Sequence, residues 1–289
     1  MLETAKKVNV FSAGNTRINA GGDHFRKAGF PGGSCMIVQV YEIQSPEEAQ
    51  LMLGLGVDHV GSVLLSPQHL QDPSLKEAVA VVQAAGGKSS LIPLFHDPEQ
   101  IAQAIRYYLP DIIHFCETLP VNGSPHPEVS AILERQKSIR RRFPHIQIMR
   151  SIPIGQAGNG ANIPSLALAA LFEPFSDWFL TDTLLSSGAQ TCVEDQPVNG
   201  FVGITGQTCD WSVARDLVQA SRIPVILAGG IGPANARQGI EQVAPAGVDS
   251  CTRTNALDAG GKPIRFKKDP EKVRALVMAA RAESNGSNR

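Results

Sequence analysis

Eight short apolar runs rich in β-branched residues recur from residue 36 onward, and helical stretches separate nearly all of them. The runs are MIVQVYEI (36–43), HVGSVLL (59–65), SSLIPLF (89–95), DIIHFC (111–116), IQIMRSI (146–152), DWFLTD (177–182), PVILAGG (224–230) and GVDSC (247–251). Strands that alternate with helices pair in parallel through crossover connections. About eight such units over roughly 250 residues is the repeat a (β/α)8 TIM barrel requires. A doubly wound open sheet is the alternative, because periodicity does not report closure. The expected division is an N-terminal extension at 1–35, a single barrel domain at 36–282 and a C-terminal tail at 283–289. Residues 1–35 are rich in Gly, Asn, Arg and Lys, show neither period, and are read as weakly ordered.

Helix starts carry their own signals. Ser45-Pro46-Glu47-Glu48, Asp97-Pro98-Glu99-Gln100 and Asp269-Pro270-Glu271-Lys272 each place a capping side chain before a first-turn proline, with an acid near the positive end of the helix dipole. The first two also read as capping boxes, through Glu48 and Gln100. Two connections exceed ordinary loop lengths, at 153–174 and 183–208, and the second reads as a functional loop over a site.

Composition narrows the partners. A formal net charge of -1, with 43% hydrophobic and 18% charged residues, gives no electrostatic preference for nucleic acid or an anionic membrane. No apolar run reaches the length of about 20 residues that crosses a bilayer, and the first thirty residues lack a secretory segment, so a cytoplasmic protein is expected. The cysteines at 35, 116, 192, 209 and 251 are odd in number and never spaced C-x-x-C, and they read as reduced thiols. No His, Asp and Glu cluster has ligand spacing, so neither metal nor cofactor is expected.

Ligands of a parallel barrel bind at the C-terminal ends of its strands. The residues there are Tyr41, Glu42, Ser66, His96, Cys116, Glu117, Arg150, Asp182, Gly229, Gly230 and Cys251 to Arg253. Gly229 and Gly230 precede a helix start at GPANARQGI; glycines let a backbone approach a ligand, and free N–H groups there favour an anion, phosphate above all. A tight strand-to-helix turn is the alternative. GITGQT (203–208) adds a second Gly-rich turn, and barrels assemble anion cups from the loops around their last strands, which favours the phosphate reading. Asp182 ends its run beside the long loop, either as a partly desolvated general acid or as a helix cap. Arg150 meets an anionic substrate group or pairs with a neighbouring acid. His114 reads as a satisfied buried histidine, RQKSIRRRF (135–143) as the solvated face of a helix, and Trp178 and Trp211 as packing residues.

LTDT, GITGQTCDWS, PVILAGGIGPANARQGI, APAGVDSCT and KKDPEKVRALVMAAR together resemble the phosphoribosylanthranilate isomerase family, most strongly over 179–281 and in register from Met36. The resemblance implies a (β/α)8 barrel that performs an Amadori rearrangement of a phosphoribosyl-amine in tryptophan biosynthesis, with a phosphorylated sugar as small-molecule partner. It implies Asp182 as general acid and a phosphate cup at Gly206, Gly229 and Gly230, with the turn after strand eight at Cys251, Thr252 and Arg253. The family's base is a strand-one cysteine, and here the matching residues read Gln39-Val40-Tyr41-Glu42. Tyr41, whose unperturbed pKa is about 10, is a poor base. Glu42, Cys116 and Cys251 are the candidate substitutes, each thiol having the alternative of a small core hydrophobe. The family's arginine after strand two aligns with SPQHLQ, which has none, and Tyr41 and Arg150 are the remaining candidate substrate contacts. A paralogue with another isomerase or lyase reaction on a sugar phosphate, or a non-catalytic phosphate-ligand protein, are the alternatives. Oligomeric state is not legible.

Overall fold

The computed structural model describes residues 36–121, 127–185 and 199–282. Eight parallel strands close into a barrel in chain order: β1 (Ile37–Val40), β2 (His59–Leu64), β3 (Lys88–Pro93), β4 (Ile112–Phe115), β5 (Gln147–Gly155), β6 (Trp178–Leu184), β7 (Val225–Leu227) and β8 (Gly247–Ser250). β8 pairs with β1, Gln39 lying opposite Asp249, and that pairing closes the ring. The outer helices are α1 (Pro46–Gly54), α2 (Pro73–Ala84), α3 (Pro98–Tyr108), α4 (Pro127–Arg142), α5 (Ser165–Phe172), α6 (Trp211–Ala220), α7 (Ala236–Val243) and α8 (Pro270–Arg281). The extension expected at 1–35 and the tail at 283–289 lie outside the described residues, as does 186–198 of the long loop.

The caps form as their chemistry requires. The Ser45 hydroxyl accepts from the Glu48 N–H at 3.2 Å, Asp97 accepts from Glu99 and Gln100 at 2.8 and 2.9 Å, and Asp269 accepts from Glu271 and Lys272 at 3.0 and 3.3 Å. The capping boxes are a correction: Glu48 reaches past Ser45 to the N–H of Gln44 at 3.4 Å, and Gln100 makes no return bond among the described residues. α7 starts at Ala236, later than Pro233 suggested, because residues 233–235 form a turn in which the Asn235 carboxamide accepts from the Gly232 N–H at 2.8 Å.

β5 and β6 both outrun their apolar stretches, since they remain paired from Met149 opposite Trp178 to Gly155 opposite Leu184. β7 instead stops at Leu227, ahead of the glycine pair whose φ angles, +83° and +60°, leave the extended region. The chain after β8 forms a hairpin, β9 (Asn255–Leu257) with β10 (Pro263–Lys268), before α8 begins. Sequence reading missed this hairpin, although Gly260-Gly261 between two short runs is a turn signal.

Strand alternation sorts each residue to one side of the barrel wall. Val38, Val40, Leu91, Ile113, Ile148, Phe179, Leu227 and Val248 are buried against the helices. The opposite parity fills the interior with Tyr41, Val63, Ile92, Met149, Leu180 and Ile226, and also with polar Gln39, Ser90, His114, Ser151, Asp182 and Asp249. An apolar lumen would suffice for folding, so this polar set marks the working part of the barrel.

The basic run on α4 is only partly a solvated face, which corrects the sequence reading. Arg135 reaches Glu117 at 3.4 Å, Arg140 pairs with Asp177, Arg142 pairs with Glu99 at 2.7 Å, and Gln136 within the run is buried.

Candidate active site

A pocket opens at the C-terminal ends of the strands. One side is made by three loops in mutual contact: 203–208 after β6, 229–232 after β7, and 251–253 after β8. A Cβ on Gly230 would lie 2.6 Å from the carbonyl carbon of Gln207 and 2.7 Å from the Thr208 nitrogen, so only glycine lets the first two loops meet. Thr183 donates its hydroxyl to the Gln207 carbonyl at 2.7 Å, and the Asn235 amide donates to the Gly230 carbonyl at 3.0 Å. Arg253 donates to the Gly206 carbonyl through Nε and Nη2, at 3.1 and 2.8 Å, joining the third loop to the first. The N–H groups of Gly206, Gly229 and Gly230 have no acceptor among the described residues. Unpaired N–H groups lining a pocket beside a guanidinium are suited to an anion, and the three loops are called the cup below.

Asp182 stands next to that cup. β6 continues past it to Leu184, so it sits within a strand, and the helix-cap alternative is removed. Its parity matches Leu180 and turns it into the pocket. The carboxylate accepts from its neighbour's N–H, that of Thr183, at 3.2 Å, and from the Ser151 hydroxyl. Gly203, at φ +109°, packs against it so closely that a Cβ there would lie 2.6 Å from Oδ2. Burial, and then the charge of Asp249, push the Asp182 carboxyl up to about 7. A carboxyl that holds its proton near neutral pH is suited to general acid work.

Asp249 is the residue sequence reading missed. It lines the same pocket from β8, and burial likewise pushes its carboxyl up to about 7, against the lowering effects of Gln39 and Lys268. Its signal was strand parity: in GVDSC, Val248 packs outward, so Asp249 faces in.

Two hydrogen-bond chains cross the floor of the pocket, each ending on one of these carboxyls. In the first, Ser90 Oγ lies 2.5 Å from the Tyr41 hydroxyl, which lies 2.7 Å from His114 Nδ1; His114 Nε2 lies 2.9 Å from Ser151 Oγ, and Ser151 donates to Asp182. Burial and nearby Arg150 lower His114 to about 3, so the ring is neutral and serves as donor on one nitrogen and acceptor on the other. With Asp182 ionised every donor points toward it; with Asp182 protonated the same groups can reverse together. In the second chain His59 Nδ1 lies 3.2 Å from Gln39 Oε1, and Gln39 Nε2 donates to Asp249 at 3.1 Å. Tyr41 lines the pocket, as expected of a substrate contact, while its ring covers Gly61 and its hydroxyl belongs to the first chain. Burial raises that phenol well above its ordinary value.

The remaining sequence candidates have other occupations. Arg150 is a correction: it shares the parity of Ile148 and Ile152, so it leaves the lumen and is buried between barrel and helices. It stacks against Phe115 and Phe172, donates to Gln136 at 2.9 Å and pairs with Glu117 at 2.6 Å. Glu42 lines the pocket, but its carboxylate accepts two bonds from Arg265 of β10, at 2.7 and 2.5 Å, and one from the Phe266 N–H. Burial raises the Cys116 thiol well above its ordinary value, and it raises Cys251 likewise, so both stay protonated. Thr252 and Arg253 line the pocket beside the two glycine turns. Across the pocket, Val63, Ile92, Leu94 and Phe201 make an apolar wall, with His96 stacked on Phe201 at 4.9 Å between ring centroids.

A sequence model of the N-(5'phosphoribosyl)anthranilate (PRA) isomerase family matches residues 185–278, the part of the chain that builds the cup. The N-(5'-phosphoribosyl)anthranilate isomerase of Methanocella arvoryzae is 26% identical over 247 residues, spanning 84% of this chain and 97% of that one. Along most of its length the chain is similar to members of the phosphoribosylanthranilate isomerase family. The Haloferax volcanii member of the family is 40% identical over 116 residues, which cover 40% of this chain and 43% of that one. Among solved structures, the phosphoribosyl anthranilate isomerase of Thermotoga maritima shares the barrel with a TM-score of 0.59 at 18% identity, over 85% of this chain and 98% of that one. Another family structure, at TM-score 0.55 and 18% identity, over the same 85% and 98%, is a complex with reduced 1-(o-carboxyphenylamino)-1-deoxyribulose 5-phosphate. No helix among the described residues of this chain is long and apolar enough to cross a membrane.

Proposed function

We propose that the protein is a phosphoribosylanthranilate isomerase that holds the substrate phosphate at Gly206, Gly229, Gly230, Thr252 and Arg253 and uses Asp182 as general acid. One observation carries this reading: a carboxyl with a strongly raised pKa shares a pocket with a ready-made anion cup. The chemistry fits that placement. Asp182 gives its proton to the ribose ring oxygen as the bond from C1 to that oxygen breaks, and the anilino nitrogen lone pair forms a C1=N iminium. Loss of the C2 proton moves its electron pair into C1=C2 and neutralises the iminium. The resulting enol-amine gains a proton at C1 and loses one from the C2 hydroxyl, leaving an amino-ketose phosphate. The apolar wall of Val63, Ile92, Leu94 and Phe201 suits the aromatic ring of the aglycone. The reading also places the enzyme in the cytoplasm, where Cys116, Cys209 and Cys251 stay reduced.

The test supplies phosphoribosylanthranilate to the purified protein and follows loss of its fluorescence. Turnover is expected in the unaltered protein, with Asp182→Asn at least about a hundredfold slower. Tight binding of sugar phosphates without turnover would reject the isomerase in favour of a binding protein.

A further inference from the structure

We propose that Asp249 is the general base of this enzyme, taking the C2 proton that the family elsewhere gives to a strand-one thiol. The assignment rests on the isomerase reading above.

Place is the first argument. Barrel closure puts β8 beside β1, with Gln39 and Asp249 in register, so Asp249 occupies the lumen next to the strand whose thiol is missing. It lines the pocket that also contains Asp182 and the cup. One oxygen, Oδ1, is fixed by the Gln39 amide at 3.1 Å, and Gln39 is itself held by His59. The other oxygen has no protein partner among the described residues and is available to a substrate. A carboxylate anchored by one oxygen and open at the other is pre-organised to accept a proton.

Elimination is the second. The Tyr41 hydroxyl is occupied by Ser90 and His114, the Glu42 carboxylate by Arg265, and the Cys116 and Cys251 thiols are held protonated by burial. His114 is committed through both ring nitrogens. Asp249 is the pocket group left with an unoccupied basic oxygen among the described residues.

The step balances without a co-reactant. Asp249 carboxylate forms an O–H bond to the C2 proton, the broken C–H pair becomes the C1=C2 π bond, and the iminium nitrogen regains its lone pair. Asp182 has by then lost its proton to the ring oxygen, so the two carboxyls exchange states as ring opening and deprotonation proceed. Two carboxyls lining one pocket, one to give a proton and one to take it, is the arrangement that acid and base chemistry in a single site requires.

Asp249→Asn tests this, since the amide oxygen can still accept from Gln39. With the unaltered enzyme active, kcat should fall about 10²- to 10⁴-fold while KM changes little. A substrate deuterated at C2 should show a larger isotope effect in the variant than in the unaltered enzyme, because proton removal becomes the slow step, and a merely structural role would not produce that change. The groups facing Asp249 are Gln39 of β1, Tyr41 just after that strand, Asp182 of β6, Lys268 of β10 and Cys251 just after its own strand. The unaltered kcat/KM should therefore fall on both sides of neutrality. In Asp249→Asn the acid limb should vanish, and the alkaline limb should move to lower pH as Asp182 loses its charged neighbour. Asp249→Glu should recover part of kcat. An active unaltered enzyme whose Asp249→Asn variant keeps its kcat overturns the assignment alone. An unaltered enzyme with no turnover overturns the isomerase reading, and this assignment with it.

Discussion

Replacing Arg150 by leucine separates a structural arginine from a substrate-binding one. The guanidinium is fully buried, sits 4.8 Å from the Phe172 ring centroid and 5.2 Å from that of Phe115, and gives hydrogen bonds to Glu117 and Gln136. Its removal strands the Glu117 carboxylate at 3% exposure with, among the described residues, only the Arg135 cation, 3.4 Å away, to answer it. Breaking one side of such a pair costs about 3–5 kcal/mol. For a domain of this size a kcal/mol is about 2–4 °C of Tm, so the drop should be about 6–20 °C. Burial alone would raise Glu117, but the charges of Arg150 and Arg135 override it and hold the carboxyl below its ordinary value. A carboxyl with a depressed folded pKa contributes stability that is complete above its ordinary value and is lost as pH falls through the folded one. The gap between the two proteins should therefore close in acid. Calorimetry across pH reads the stability, and initial rates at 25 °C read the chemistry. kcat and KM per folded molecule should stay within about twofold, since Arg150 is outside the pocket. The double variant Arg150→Leu with Glu117→Leu should recover much of the lost Tm, because no uncompensated charge remains. A normal Tm together with a tenfold higher KM would refute the reasoning and return Arg150 to the substrate.

Three further outcomes follow from the site. Asp182→Asn should raise Tm at pH 8 and not at pH 4: a carboxyl raised to about 7 is protonated more readily folded than unfolded, so stability falls as pH climbs from its ordinary value through about 7. An unchanged Tm at pH 8 would mean the carboxyl is not raised. Gly203→Ala should cut kcat about 10- to 100-fold, because a Cβ 2.6 Å from the Asp182 oxygen must displace the acid; full activity in steady-state assays would show that this contact does not position it. Gly230→Val should weaken binding of phosphate-bearing ligands by tenfold or so in calorimetric titration, by forcing the Gln207 backbone out of the cup. Unaltered affinity would remove the cup assignment.

Local chemistry settled more of this protein than its divergence suggests. Alternation of β-branched runs with capped helices specifies parallel strands and outer helices, and the caps at Ser45, Asp97 and Asp269 form with the residues that the sequence displays. The glycine turn after β7 was legible too, because glycine is the residue that takes φ angles of +60° and +83° beside a strand end. Parity within a strand was equally available, and applied to IQIMRSI it would have turned Arg150 outward and Ser151 inward.

Closure belongs to the tertiary structure. A period says that strands alternate with helices; it does not say that the eighth will lie beside the first, bringing Asp249 onto Gln39 across 210 residues of chain. Occupancy is likewise a tertiary fact: Glu42 reads as a candidate base until β10 brings Arg265 to it, and Asp249 meets Gln39 only when the barrel closes. Burial then acts on what closure has assembled. Two carboxyls with ordinary solution pKa values are raised because the same low-dielectric pocket takes water from both, and Asp182 stands in the field of Asp249 as well.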